Sequence, residues 1–106
     1  MSTSPKQSEK RIYWHRDLPP LDAEIEGEHF LDAASEKVPY HFDRRDQLWV
    51  ECHPSLVSSV ETRIDQEITR LGGRCAHIVD EDIEPSVNNG AGLYHLKGKF
   101  TYLLYR

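Results

Sequence analysis

Between Asp46 and Leu71 apolar residues return at steps of three and four. Trp49, Cys52, Leu56, Val60, Ile64, Ile68 and Leu71 form a stripe on one helical face, with Glu51, Ser55, Ser59, Thr62 and Asp65 opposite. Pro54 falls inside this run, lacks a backbone donor and crowds the preceding turn, so the pattern predicts either a kinked helix or a short helix followed by a longer one. Gly72-Gly73 ends it as a left-handed C-cap requires, with Arg70 complementing the dipole in the last turn.

Elsewhere the period is two. From Leu93 to Tyr105, residues Tyr94, Leu96, Gly98, Phe100, Tyr102 and Leu104 alternate with His95, Lys97, Lys99, Thr101 and Leu103, which predicts a long strand. Glu24 to Ser35 places Ile25, Gly27, His29, Leu31 and Ala33 against Glu24, Glu26, Glu28 and Asp32, a half-buried strand in which Phe30 breaks the alternation. Short strands are expected at Arg11–Arg16, ending before Pro19-Pro20, and at Arg74–Val79. Val38–Phe42 reads as an irregular connection, and Asp80–Pro85 as an outward loop leading to a turn at Ser86–Gly90. The expected fold is α+β: a two-layer sandwich in which a mainly antiparallel four-stranded sheet is covered by one long helix, in the order β-β-α-β-β.

The chain has 106 residues, 38% of them hydrophobic and 29% charged, enough for one domain that buries about two-thirds of its unfolded surface. Residues 1–10 carry no apolar anchor after Met1 and are expected to form a flexible tail, leaving 11–106 as a single α+β domain. The net charge of −5 argues against nucleic acid, for which Arg11, Arg16, Arg44, Arg45, Lys97 and Lys99 would have to converge. No apolar run approaches the roughly 20 residues of a membrane span, and the first residues lack a signal-peptide core, so a cytoplasmic protein without a membrane role is expected. Cys52 and Cys75 then remain thiols and pack as small hydrophobes.

Candidate chemistry is sparse. His29, His77 and His95, with Cys75, lie on predicted strands and could line one patch as ligands or as acid and base, but no pair has the Cys-x2-Cys spacing of a zinc site, so no metal and no cofactor are assigned. The acidic run Asp80-Glu-Asp82 with Glu84 matches no calcium loop and reads as solvated. Gly72-Gly73 follows a helix where a phosphate cradle precedes one, and the serines at positions 55, 58 and 59 lack a nucleophile-elbow pattern. No catalytic residue is assigned, which weighs against an enzyme. The aromatic residues exceed what one helix can cover; Leu93, Leu103 and Tyr105, on the strand face opposite Phe100 and Tyr102, are the candidate interface residues.

The stretches Ile68-Thr-Arg-Leu-Gly-Gly-Arg-Cys-Ala-His-Ile-Val79 and Lys97-Gly-Lys-Phe-Thr-Tyr-Leu-Leu-Tyr-Arg106, with Trp14-His-Arg-Asp-Leu-Pro-Pro20 and Gly27-Glu-His29, resemble a group of small uncharacterised bacterial proteins. That resemblance implies no activity and carries over no functional residue. The function expected is a small binding or assembly module that self-associates through the sheet face or edge, as a homo-oligomer; the alternative is a metal- or small-ligand-binding protein, including a small enzyme, built on the strand histidines.

Overall fold

A computed structural model describes residues 10–106, so the tail expected over 1–10 lies, apart from Lys10, outside the described residues. Five strands and one long helix are present: β1 (Ile12–Trp14), β2 (Ile25–Ala34), β3 (Val38–Pro39), α1 (Arg45–Leu71), β4 (Cys75–Asn88) and β5 (Leu93–Tyr105). They form an α+β structure, one mixed sheet with the helix on one face. The sheet runs β1-β4-β5-β2, with β3 also on β5. β4–β5 and β5–β2 are antiparallel, whereas β1 lies parallel to β4.

Two details correct the four-stranded, mainly antiparallel expectation. β3 follows β2 along the same side of β5, after an interruption at residues 35–37. There the Ser35 hydroxyl accepts the Leu96 N–H at 2.9 Å and donates to the Glu36 carbonyl, while the Glu36 N–H is taken by Ser55 Oγ of the helix. Side chains thus satisfy backbone groups where the ladder opens, and the strand resumes. β4, the second, continues to Asn88 where a loop was expected. A bulge between Ile78 and Asp80 shifts its register by one residue, after which Asp82, Glu84 and Ser86 alternate with Ile83, Pro85 and Val87. Carboxylates on a wet strand face need no loop to reach water.

α1 buries Leu48, Cys52, Leu56, Val60, Ile64 and Ile68, one residue in every four. Leu48, and not Trp49, starts the row; Trp49 and Leu71 stay partly exposed. A row of every fourth residue is inclined to the helix axis by about 26°, which lets one ridge follow a twisted sheet. Beneath it lie Ala76, Ile78, Tyr94, Leu96, Phe100, Tyr102 and Leu104. The helix runs unbroken through Pro54, which is exposed. It ends with Gly72 at φ 72°, whose N–H reaches the Thr69 carbonyl while the Gly73 N–H reaches that of Ile68, the paired bonds of a Schellman stop. Gly73 is needed for close approach, because a Cβ there would meet Leu104 Cδ1 at 2.8 Å.

The link from β1 to β2 carries the chain from one sheet edge to the other. It turns at His15, which has φ 47°, and Asp17 Oδ2 accepts the Trp14 N–H at 2.8 Å. That bond, followed by Lys10, holds the Asp17 carboxyl below its ordinary pKa. At the far end Arg74 meets Asp22, and the Arg106 N–H donates to the Glu24 carbonyl. The Cα radius of gyration is 16.5 Å, against about 13 Å for a compact domain of 100 residues, so the molecule is extended along its sheet and helix.

Candidate functional site

The sheet face turned away from α1 is built by alternation. In β5, Tyr94 to Leu104 at even positions pack under the helix, so Leu93, His95, Lys97, Lys99, Thr101, Leu103 and Tyr105 point the other way. Cross-strand register brings Glu28, Phe30, Asp32 and Ala34 of β2 onto that face on one side. On the other side it brings Cys75 and His77 of β4, and, past the bulge, Asp80, Asp82, Glu84 and Ser86.

This face has two zones. In the middle, Lys99 stands between Asp32 and Asp82 on one rung, and Lys97 between Ala34 and Glu84 on the next. With Arg63 they line a shallow cavity of about 530 Å³ in which Asp32, Asp82 and Glu84 oppose Arg63, Lys97 and Lys99. The Arg63 guanidinium reaches from the helix over the β2 edge and donates to the Asp32 carbonyl. Towards the Tyr105 end the face turns apolar: Phe30 is 75% exposed and Ile25 59%, with Leu103 half-buried beside them. The β1–β2 link enters this side, where His77 Nε2 contacts the His15 carbonyl oxygen at 2.7 Å, and it bears Leu18 and Leu21, both almost wholly exposed.

Both sheet edges are acidic. Among the described residues β1 pairs only with Ala76–Ile78, leaving β4 from Asp80 onward without an outer neighbour, where Asp80, Glu81, Asp82 and Glu84 precede Pro85. β2 forms the opposite edge and carries Glu26, Glu28 and Asp32. Like charges opposed across an edge-to-edge pair repel, and proline withholds a donor.

The residues singled out from the sequence are dispersed over this frame. His29 lies on the helix face of β2, stacked on Tyr102 with ring centroids 5.4 Å apart. His77 and Cys75 lie on the opposite face, Cys75 fully buried near the chain end. His95 shares their face but pairs with Ser86, whereas His77 pairs with Leu103, eight residues further along β5 and so about 26 Å away at strand spacing. Burial, followed by Lys37 and Lys97, pushes the His95 imidazole below its ordinary pKa. The structure therefore brings Cys75 and His77 into one neighbourhood and leaves His29 and His95 apart; no group of three or more metal-ligating side chains forms among the described residues. Of the interface candidates, Leu103 and Tyr105 lie together at the apolar end, Tyr105 largely covered, while Leu93 lies at the far end of the strand beside the hairpin turn. Of the cations that nucleic acid would require, Arg11 is held by Asp65 and Arg44 by Glu51, and Lys97 and Lys99 stand among carboxylates.

Two features escaped the sequence pattern. Phe30, noted only as a break in alternation, is the most exposed aromatic side chain of the face; its even position beside Glu28 and Asp32 was the available signal. On the helix side, Tyr40, Trp49 and Tyr94 come together around a cavity of about 470 Å³. No helix among the described residues is long and apolar enough to cross a membrane. No protein-family model, curated protein or solved structure matches the chain.

Proposed function

We propose that the chain is a small binding and assembly module that associates with a second copy of itself through the helix-free face of its sheet. The observation that carries this is Phe30, 75% exposed on a face whose Tyr105 end also presents Ile25 and Leu103. Burying such a side chain contributes about 2 kcal/mol. The rows beside it favour a like partner. Two lysines flanked by three carboxylates give one face both signs in adjacent rows, and such a surface can complement itself across a two-fold axis. The acidic edges point the same way, because edge-to-edge pairing of two copies would set carboxylate against carboxylate.

Sedimentation velocity tests this directly. The expected result is a concentration-dependent dimer at tens of micromolar, weakened at least about ten-fold by Phe30→Asp, which buries a charge in the contact. Phe30 is on the surface, so the variant should keep its fold, verifiable by its thermal transition. A strict monomer over that range, or a dimer indifferent to Phe30→Asp, would sink the proposal.

A further inference from the structure

The turn that joins β4 to β5 reads Asn88-Asn89-Gly90-Ala91-Gly92, and all of residues 88–92 are exposed. It is anchored at its base and free at its tip. The Gly92 N–H donates to the Asn88 carbonyl at 2.7 Å, the Ala91 N–H donates to Asn88 Oδ1 at 3.1 Å, and the Gly92 carbonyl accepts the Tyr40 N–H at 2.8 Å. Between these anchors, neither the Asn89 side chain nor the Gly90 N–H makes a hydrogen bond among the described residues. The two asparagines therefore differ. The Asn88 side chain is engaged and is followed by a residue with a side chain of its own, whereas the Asn89 side chain is free and is followed by glycine.

Glycine at position 90 is not demanded by the shape of the turn. The left-handed residue is Gly92, at φ 67°; Gly90 keeps a negative φ, and a Cβ there would meet Asn88 Oδ1 at an ordinary 3.5 Å. What Gly90 supplies is access. With no side chain on its own residue, its backbone nitrogen can be approached closely by the carbonyl carbon of the preceding side chain. In Asn89 that carbon is Cγ, and bonding between the two closes a succinimide ring. Reacting groups held in one short stretch of chain meet at a high effective concentration, so no catalyst is required.

We infer that the Asn89-Gly90 junction is a site of spontaneous covalent modification, at which Asn89 is converted through a succinimide to isoaspartate and aspartate. The Gly90 nitrogen, having given its proton to a base in solution, bonds to Asn89 Cγ; the Cγ–Nδ2 bond breaks, and Nδ2 leaves as ammonia with a proton taken from water. Water then opens the ring at either carbonyl. Opening at the side-chain carbonyl gives aspartate, and opening at the main-chain carbonyl gives isoaspartate, whose chain runs on through Cγ. Water is consumed and ammonia released in equal amounts, with no oxidation or reduction. Either product adds a negative charge to a chain whose net charge is already −5. Isoaspartate also lengthens the main chain inside the loop that the Gly92 N–H closes on Asn88, next to the point where Tyr40 is tied to the turn.

The test is peptide mapping by mass spectrometry of the full chain after prolonged incubation in warm, mildly alkaline buffer. The protein is cleaved in acid, where the Gly90 nitrogen keeps its proton and the reaction stalls, and is compared with a sample cleaved at the start. The expected result is a gain of about 1 Da on the peptide that holds the turn, which separates into isoaspartyl and aspartyl species. The change should lie on Asn89 and not on Asn88, and should accelerate as pH rises. Gly90→Ala, which the turn accommodates, should slow it at least about ten-fold, and Asn89→Gln should abolish it over the same time. Three results would overturn the inference: no gain over a time in which a free peptide of residues 86–92 converts, a gain located on Asn88, or an equal rate in the Gly90→Ala variant.

Discussion

Gly98 and His95 show what single positions contribute. Gly98 lies under the Phe100 ring, and a methyl group there would come within 2.6 Å of Phe100 Cε1 and 3.3 Å of Ile83. Phe100 is buried beneath the helix and cannot swing into solvent, so Gly98→Ala is expected to cost about 1–3 kcal/mol, read as a lower denaturant midpoint at unchanged slope. His95 acts through its proton. Because its folded pKa lies below the ordinary value of 6.5, the unfolded chain takes up the proton more readily; the neutral imidazole carries no penalty above pH 6.5, and stability is lost as pH falls through that value towards the lower, folded one. Unfolding measured near neutrality and at about pH 5 should show a larger loss for the parent protein than for His95→Gln. Equal losses would mean that the burial of His95 is not felt in solution.

At the level of elements, α1 carries the one local conflict. Pro54 removes the hydrogen bond that would end on the Val50 carbonyl, yet both residues face solvent, so water can take the freed carbonyl and the helix continues. Pro54→Ala is expected to raise stability by about 1–3 kcal/mol, the lower end allowing for the stiffer unfolded chain that proline provides. A neutral or destabilising result would show that the proline terminates a competing structure. The helix, its glycine stop and β5 were legible in the sequence because each follows one unbroken period. β4 was legible only as far as Val79. One extra residue there shifts the alternation, and the carboxylates beyond it resemble a loop unless the pattern is restarted at Asp80. β3 was hidden for another reason: two residues carry no period, and their pairing depends on Ser35 reaching Leu96 across the sheet.

For the whole molecule, one helix covers one face of a five-stranded sheet, and no helix covers the other among the described residues. The sequence pattern points to Leu93, Leu103 and Tyr105 for that surface, but long-range register decides which apolar side chains it leaves exposed. The β1–β2 link enters the Tyr105 end, where Tyr105 and Cys75 are buried, and the remaining exposure passes to Phe30 and Ile25. The histidines could not be placed from sequence at all, since strand neighbours are fixed by pairings between residues up to 80 positions apart, such as Ile25 with Tyr105. Phe30 and the cavity between Tyr40, Trp49 and Tyr94 lie on opposite sides of one sheet. A pair joined through the helix-free faces would turn its two helices, and the cavity beside Tyr40 and Trp49 in each copy, outward.

The irregularity at Val79 works as a reading frame for the hairpin. Side chains beyond it are assigned to one face or the other by parity, and because the bulge absorbs the added residue, Asp82 and Glu84 stay beside the lysines while Ile83, Pro85 and Val87 join the helix side. A chain lacking Val79 would close the bulge and keep Asp80 on Thr101 and Asp82 on Lys99, whereas the same residues paired straight through this point, with no bulge, would turn the acids under the helix and the apolar side chains to the open face.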